Sequence, residues 1–156
     1  MQEEKLLIVD DDAEMGALLK DFLLKEGYTG EAVASGREAL ERVKENDYSV
    51  VITDIRMADV DGIELLSRVK ELRPDTTVIM ITAFGTIDLA VEAMRKGAFH
   101  FVTKPFKLNE ISAIVRKAVE HQRLLKENIL LRREVEDRYR FGNIIGKSQG
   151  MRQVYD

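Results

Sequence analysis

Acidic, hydroxyl and amine side chains follow or close four of the short apolar runs in this sequence. Asp10 and Asp11 come after the first run, Asp54 follows the third, Thr82 follows the fourth and Lys104 lies just beyond the fifth. Carboxylates are ligands that Mg²⁺ prefers, and a carboxylate can also act as the nucleophile toward a phosphoryl group. A lysine amine and a threonine hydroxyl suit phosphoryl oxygens. These residue types predict phosphoryl transfer to a carboxylate, provided that the fold brings them together.

The elements that would position these side chains are five predicted strands, most of them apolar runs, each followed by a stretch with apolar residues at helical spacing. The predicted strands cover residues 6–9, 28–33, 50–52, 78–81 and 99–102, and a long helix begins near Leu108. Continuous apolar runs are typical of strands buried on both faces. Right-handed crossovers then give a five-stranded parallel sheet between helical layers, a doubly wound α/β fold. The carboxyl ends of such strands share one edge, where all five reactive side chains are expected.

Three carboxylates at one edge would repel each other, and at least one would tend to keep its proton. Mg²⁺ would remove this conflict, because it accepts a few carboxylates and keeps waters that phosphate oxygens can replace. Each residue alone has a structural explanation: Asp12 suits a helix N-cap, Asp54 a turn, Thr82 a cap and Lys104 a solvated charge. Their joint placement at one edge favours a functional site.

The composition is that of an ordinary globular protein. The 156 residues are 45% apolar and 33% charged, and the net charge is −4. No cysteine is present, which excludes disulfides, thiolate catalysis and cysteine-ligated zinc. The acidic start does not match a secretory signal, and no apolar segment is long enough to span a membrane. We expect a cytoplasmic protein that does not bind membranes, and whose interleaved charges do not form a nucleic-acid surface.

The composition changes after residue 120, where the chain loses its strand pattern and becomes rich in Lys, Arg, Glu and Leu. Four positions follow alternating four- and three-residue steps, the spacing of a two-stranded coiled coil with Asn at one core position: Leu124, Asn128, Leu131 and Val135. An amphipathic surface helix is the alternative. The predicted units are a domain, a helical linker and the start of a second, truncated domain, at residues 1–120, 121–140 and 141–156.

Five motifs resemble the receiver domain of bacterial two-component response regulators, in the order and spacing of that family. They are Ile8–Asp12, Val51–Met57, Asp61-Gly62, Ile81–Ala83 and Lys104–Phe106, within a resemblance that covers about residues 4–120. The resemblance implies a flavodoxin-like fold with strand order 2-1-3-4-5 and a cis peptide before Pro105. It also implies a signalling switch rather than an enzyme, one that catalyses only its own phosphorylation and dephosphorylation.

The resemblance assigns a role to each site residue. Asp54 would be the phosphoacceptor, supplied by a sensor histidine kinase or a small phosphodonor. Three carboxylates and one backbone carbonyl would hold Mg²⁺, those of Asp10, Asp11, Asp54 and Arg56. The phosphoryl oxygens would be bound by a hydroxyl, an amine and a backbone amide, those of Thr82, Lys104 and Ala83. Phe101 would be the aromatic switch residue, turning inward once Thr82 moves toward the phosphate.

Two positions depart from the family's usual pattern. Ala58 stands where Pro is common, so the loop after Asp54 is expected to be less rigid, with little effect on the chemistry. Phe101 lacks the hydroxyl of the commoner Tyr, so the switch cannot use a hydrogen bond from that ring.

Further motifs resemble the NtrC-like subgroup, including Phe84–Thr86, Gly97–Phe99 and the linker segment Glu127–Glu134. Ile144–Ser148 is similar to the start of the AAA+ ATPase domain that follows the receiver in that subgroup. The resemblance implies a transcription activator with downstream AAA+ and DNA-binding domains. It also implies a homodimer formed through the linker helix and the last receiver helix.

Two functions other than that of a receiver domain are also compatible with the sequence. A phosphatase of the haloacid dehalogenase type also places an Asp-x-Asp motif after its first strand, which would make Asp10 the nucleophile. A receiver-like module that dimerises without phosphorylation is the other, although such modules tend to lose an acidic ligand or the lysine. The residue that carries the acyl phosphate distinguishes the first alternative from the receiver.

Overall fold

The computed structural model describes residues 4–57, 59–83 and 85–149, and for residues 138–149 it describes the backbone alone. Within these residues, five strands alternate with five helices. The strands are β1 (Lys5–Val9), β2 (Thr29–Val33), β3 (Val50–Asp54), β4 (Thr77–Thr82) and β5 (His100–Thr103). The helices are α1 (Ala13–Lys25), α2 (Gly36–Glu45), α3 (Gly62–Leu72), α4 (Ile87–Arg95) and α5 (Leu108–Gln149). None of these helices combines the length and the apolar composition that crossing a membrane requires.

The strands form one parallel sheet in the order β2-β1-β3-β4-β5. The predicted doubly wound fold and its strand order are therefore confirmed. The register pairs Val9 with Thr53, and Asp54 with Ile81. The carboxyl ends of β1, β3 and β4 consequently finish side by side at one edge of the sheet.

Alternate residues of the three central strands, β1, β3 and β4, pack into two separate apolar clusters, one on each face of the sheet. On one face Leu7 and Val51 lie in a cluster with buried residues of α2, α3 and α4. On the other face Leu6, Ile8 and Ile52 lie in a cluster with buried residues of α1 and α5. Burial on both faces explains why the strand runs are continuously apolar instead of alternating.

Four helices begin at a polar N-cap residue, namely Asp12, Ser35, Asp61 and Thr86. The Asp12 carboxylate accepts hydrogen bonds from the backbone amides of Glu14 at 3.0 Å and Met15 at 3.4 Å. The prediction that Asp12 is a cap is confirmed. Because Asp12 caps α1, only Asp10 and Asp11 remain at the end of β1 as acidic residues of the candidate site.

The backbone of helix α5 is helical through Gln149, although the segment after residue 140 contains Gly142 and Gly146. Glycine costs about 1 kcal/mol in a helix interior but removes no hydrogen bond, and no proline follows Pro105 to interrupt the helix. Residues through Arg123 form one compact unit, and those from Leu124 onward form a second. The predicted division at residues 120 and 140 stays a prediction, and residues 150–156 lie outside the described chain.

Gly62 begins α3 where that helix packs against the end of β3. Its N–H donates to the Ile55 carbonyl at 2.7 Å, and a Cβ at this position would lie 2.7 Å from the Ile55 Cα and closer still to the Asp54 carbonyl oxygen. Backbone atoms this close cannot give way without moving the loop. We expect Gly62→Ala to lower the free energy of unfolding in urea by about 2 kcal/mol.

Gly16→Ala is the matched control for this substitution. Gly16 is also buried, but it lies inside α1, and its added Cβ would be 3.6 Å from the Ala32 Cβ, an ordinary contact. Alanine is favoured over glycine in a helix interior by up to about 1 kcal/mol. The control variant should therefore be at least as stable as the wild type, and equal losses in both variants would contradict this account of Gly62.

Candidate functional site

The end of β1 supplies two carboxylates that differ in environment. Asp10 is buried, with 4% of its surface exposed, whereas Asp11 is exposed. The Asp10 Oδ1 accepts a hydrogen bond from the Asp12 backbone amide at 2.9 Å. That bond fixes the Asp10 carboxylate against the start of α1 and leaves its Oδ2 directed at other partners.

The end of β3 supplies the third carboxylate. Asp54 is the last residue of the strand and is 9% exposed. Its Oδ1 accepts a hydrogen bond from the Arg56 backbone amide at 3.2 Å. The chain after Asp54 therefore turns back over its own carboxylate, which brings the backbone of Arg56 next to the cluster.

Lys104, just after β5, joins the two buried carboxylates. Its Nζ lies 3.1 Å from the Asp10 Oδ2 and 3.1 Å from the Asp54 Oδ2. Burial alone would lower the pKa of the Lys104 amine, but its hydrogen bonds and charge interactions with Asp54 and Asp10 outweigh burial and raise the pKa above its usual value. Lys104 is thus held protonated as the internal counterion of the site.

The backbone around Lys104 fixes the approach of its side chain. The Lys104 amide donates to the Thr82 carbonyl at 2.8 Å, which ties the end of β5 to the end of β4. The Lys104–Pro105 peptide is cis, as the resemblance implied. Lys104 was expected to bind phosphoryl oxygens, and the bridge that its amine forms between two carboxylates was not predicted.

The three carboxylates form one cluster. Asp10, Asp11 and Asp54 each offer one oxygen, and these oxygens all lie within 4.8 Å of one another. Oxygens on opposite sides of a magnesium ion are about 4.2 Å apart, because Mg–O distances are about 2.1 Å. Three carboxylates balanced by the Lys104 ammonium leave a local charge of about −2. The donor type, the spacing and the charge fit a small divalent cation.

Thr82 and Phe101 lie on the two strands beside this cluster. Thr82 is the last residue of β4 and is fully buried, while Ala83 after it is exposed. Phe101, in the middle of β5, is partly buried against the apolar cluster that contains Met80. A Cβ added to Gly85 would lie 3.1 Å from the Phe101 ring, so the chain after β4 passes directly over that ring. Phe84 and Ala58, which the sequence analysis discussed, lie outside the described residues.

Asp59 was not identified by the sequence analysis, although the structure gives it specific contacts. Its carboxylate accepts hydrogen bonds from the backbone amides of Gly36 at 3.3 Å and Arg37 at 3.1 Å. Both partners are more than twenty positions away in the chain. No local capping pattern links such distant residues, and only the fold reveals the contact.

Residues 6–116 match the family of response regulator receiver domains. The chain belongs to this family. The predicted resemblance is confirmed, and the sheet edge described above is the region where the family's motifs meet.

The curated relatives that the chain resembles are regulators of the NtrC-like subgroup. The chain is 34% identical over 150 residues to the regulatory protein AtoC of Escherichia coli K12, covering 96% of this chain and 32% of AtoC. It is 34% identical over 160 residues to the DNA-binding transcriptional regulator NtrC of Proteus hauseri, covering 99% and 32%. The beryllofluoride-activated NtrC4 receiver domain dimer aligns with a TM-score of 0.73 at 36% identity, covering 76% of this chain and 98% of that one. The chain spans about a third of the length of these curated relatives.

Replacing Lys104 with Met tests its role as internal counterion. Without the ammonium, Asp10 and Asp54 lose their shared partner, and we expect the metal-free protein to lose about 1–3 kcal/mol of unfolding free energy at pH 7. Because the folded-state pKa of Lys104 is raised, its contribution is complete below the unfolded pKa of about 10.4 and is lost as the pH rises through the folded value. The difference between wild type and variant should therefore shrink above about pH 10.5.

Urea titrations in a chelating buffer measure this difference at each pH. Lys107→Met is the control, because Lys107 is exposed and follows Lys104 by three positions. Its effect should stay within about 0.5 kcal/mol at every pH. A stable Lys104→Met protein, or a difference that does not change at high pH, would show that the ammonium is not the counterion.

Proposed function

We propose that this chain is a phosphoacceptor switch of a two-component system, in which Asp54 receives a phosphoryl group from a sensor histidine kinase. The observation that carries the proposal is the convergence of Asp10, Asp11, Asp54 and Lys104 at one edge of the sheet. Asp54 is the carboxylate at the centre of that edge, because β3 lies between β1 and β4 in the sheet. Membership of the receiver family supports the same assignment.

The carboxylates of Asp10, Asp11 and Asp54 and the backbone carbonyl of Arg56 would hold Mg²⁺. Bound there, the ion would neutralise charge on the transferring phosphoryl group and keep Asp54 ionised. In the transfer step a carboxylate oxygen of Asp54 forms the new bond to phosphorus. The bond from phosphorus to the kinase's histidine nitrogen breaks, and that nitrogen keeps the electron pair.

Lys104 changes partner as the reaction proceeds. In the metal-free protein it neutralises Asp10 and Asp54, and after transfer its ammonium is close enough to bind a phosphoryl oxygen on Asp54. The Thr82 hydroxyl and the Ala83 amide, at the end of the adjacent strand, would bind the other phosphoryl oxygens. Movement of Thr82 toward the phosphate frees space that the Phe101 ring enters. Phosphorylation would then shift the balance between two conformations of the domain.

The phosphatase alternative is disfavoured by the family that the chain matches. In that alternative Asp10 would be the nucleophile, and its hydrogen bonds do not distinguish it from Asp54, since each carboxylate accepts from one backbone amide and from Lys104. The matched family is a receiver family. The chain is accordingly proposed to catalyse only its own phosphorylation and dephosphorylation, in the cytoplasm.

Asp54→Asn removes the proposed nucleophile while preserving the size of the side chain. Incubated with acetyl phosphate and Mg²⁺, the wild type should gain one phosphoryl group on Asp54, and the variant should gain none. Intact mass measurement followed by mapping of the modified residue gives the result.

Asp12→Asn is the matched control, since Asp12 lies at the same sheet edge but caps α1. It should be labelled at a rate within about threefold of the wild type, because asparagine is as good an N-cap as aspartate. Labelling of Asp10 in the wild type would favour the phosphatase, and unchanged labelling of Asp54→Asn would refute the proposed function.

The second unit of the chain is proposed to be a dimerisation linker, with residues 121–140 as its helical part and residues 141–156 as the start of an AAA+ domain. Leu124, Leu131 and Val135 are all about half exposed or more. With Asn128 they lie on one face of α5, at the spacing of a coiled-coil seam. A face of that kind is stabilised when a second copy of the helix covers it. The similar NtrC4 receiver domain is described as a dimer.

The full-length protein is proposed to be a transcription activator whose AAA+ and DNA-binding domains follow the linker. The curated relatives are transcriptional regulators about three times as long as this chain. A change in the dimer formed by the linker helix and the last receiver helix would pass the signal from Asp54 to those domains.

Leu131→Lys and Leu130→Lys form a matched pair that tests the dimer seam. The two leucines are adjacent and equally exposed, at 52% and 51%, but only Leu131 lies on the proposed seam. A lysine in the seam must be buried against its copy, so Leu131→Lys should weaken dimerisation at least about tenfold, or ~1.4 kcal/mol. Leu130→Lys should change it little. Sedimentation equilibrium measures both, and equal behaviour of the two variants would contradict the coiled coil.

A further inference from the structure

Helix α2 is capped by two residues, of which only one is its sequence neighbour. Ser35, the local N-cap, accepts a hydrogen bond from the Glu38 amide at 3.2 Å. The first two amides of the helix, those of Gly36 and Arg37, donate to the two carboxylate oxygens of Asp59. Asp59 belongs to the loop between β3 and α3, which follows Asp54. One carboxylate therefore ties the loop after β3 to the start of a different helix.

The packing around this contact is close. A Cβ added to Gly36 would lie 2.6 Å from the Val60 carbonyl oxygen and 2.7 Å from the Val60 Cβ. Only glycine at position 36 lets the loop approach α2 closely enough for Asp59 to reach the helix amides. The backbone amides of Val60, Arg37 and Gly36 hold the pKa of the Asp59 carboxyl below its usual value, so the carboxylate is ionised at neutral pH.

The other end of the same loop is also fixed. The Gly62 amide donates to the Ile55 carbonyl at 2.7 Å, and the Arg56 amide donates to Asp54 Oδ1 at 3.2 Å. Arg56, whose carbonyl is the proposed backbone ligand of Mg²⁺, lies in the loop between Asp54 and Asp59. Hydrogen bonds hold the loop next to the end of β3 on one side of Arg56 and at the start of α2 on the other.

We propose that Asp59 is a positioning residue for the metal site: by binding the start of α2, it holds the loop after β3 in the conformation that presents the Arg56 carbonyl to Mg²⁺. This inference rests on the proposed function, because it concerns the ion that the carboxylate cluster would hold.

A positioning role predicts a specific pattern of defects. Without the Asp59 carboxylate, the loop samples conformations in which the carbonyl ligand is displaced, so Mg²⁺ must also restore the order of the loop when it binds. Removing a group that orients a metal ligand typically weakens metal binding by about tenfold or more. The maximal phosphorylation rate at saturating Mg²⁺ should stay near the wild-type rate, because Asp59 does not contact the reacting atoms.

The test compares four proteins: the wild type, Asp59→Ala, Ser35→Ala and Gly36→Ala. Ser35→Ala is the matched control, because it removes a cap from the same helix end without touching the loop. Gly36→Ala keeps Asp59 but pushes Val60 and the loop away. Mg²⁺ affinity is measured by following amide NMR signals during a titration with the metal alone. Hydrogen exchange of the Gly36 and Arg37 amides, measured without metal, reports whether the contact exists.

The expected result is about tenfold weaker Mg²⁺ binding in Asp59→Ala and in Gly36→Ala, and less than about twofold change in Ser35→Ala. Faster exchange of the Gly36 and Arg37 amides in Asp59→Ala should accompany the loss. Equal weakening in Asp59→Ala and Ser35→Ala would mean that Asp59 only caps the helix, and the inference would fail while the proposed function stood. Wild-type affinity in Asp59→Ala would have the same meaning. If the wild type itself bound no Mg²⁺, the proposed function and this inference would both be overturned.

Discussion

The structure depends on the control of negative charge at the carboxyl edge of a buried sheet. Asp10 and Asp54 are buried at the ends of neighbouring strands, and Asp11 lies within reach of both. Like charges at this spacing are costly in a low-dielectric environment unless a cation balances them. The Lys104 ammonium balances part of the charge, at 3.1 Å from each buried carboxylate. The remainder is what a divalent cation would neutralise, so the same imbalance that costs stability would favour metal binding.

The need to hold these charges close together explains why specific hydrogen bonds and close contacts fix the backbone around the site. Each of the two buried acidic side chains is held by the amide two residues further along, that of Asp12 for Asp10 and that of Arg56 for Asp54. Gly62 permits α3 to begin directly against the end of β3, where a side chain would collide with the strand backbone. Because these restraints are short and local, small movements of the loops beside the cluster change how well it binds a cation. The proposed coupling between the metal, the phosphoryl group and the shape of the domain would act through these restraints.

Much of this arrangement could be predicted from the sequence, because strand burial and strand-end chemistry leave local patterns. The five apolar runs and the acidic residues after β1 and β3 defined the sheet edge, and Asp12 was recognisable as a cap. The Lys104 bridge could not be predicted, since the partners of a long, flexible side chain depend on the fold and not on a local sequence pattern. The contact of Asp59 with Gly36 and Arg37 joins segments with no shared pattern. The end of the last helix could not be placed from the sequence, because glycines favour turns locally, yet a long helix tolerates them.

The central claim, that the tips of β1 and β3 with Lys104 enclose a single cation site, can be tested with a paramagnetic substitute for Mg²⁺. Trace Mn²⁺ added to the isotopically labelled protein broadens the amide signals nearest the bound ion. The account predicts that signals near Asp10, Asp11, Asp54 and Arg56 disappear together at the lowest Mn²⁺ concentration, and that excess Mg²⁺ restores them together. Broadening of the β1 signals and the β3 signals at different concentrations, or at other acidic surfaces first, would contradict it.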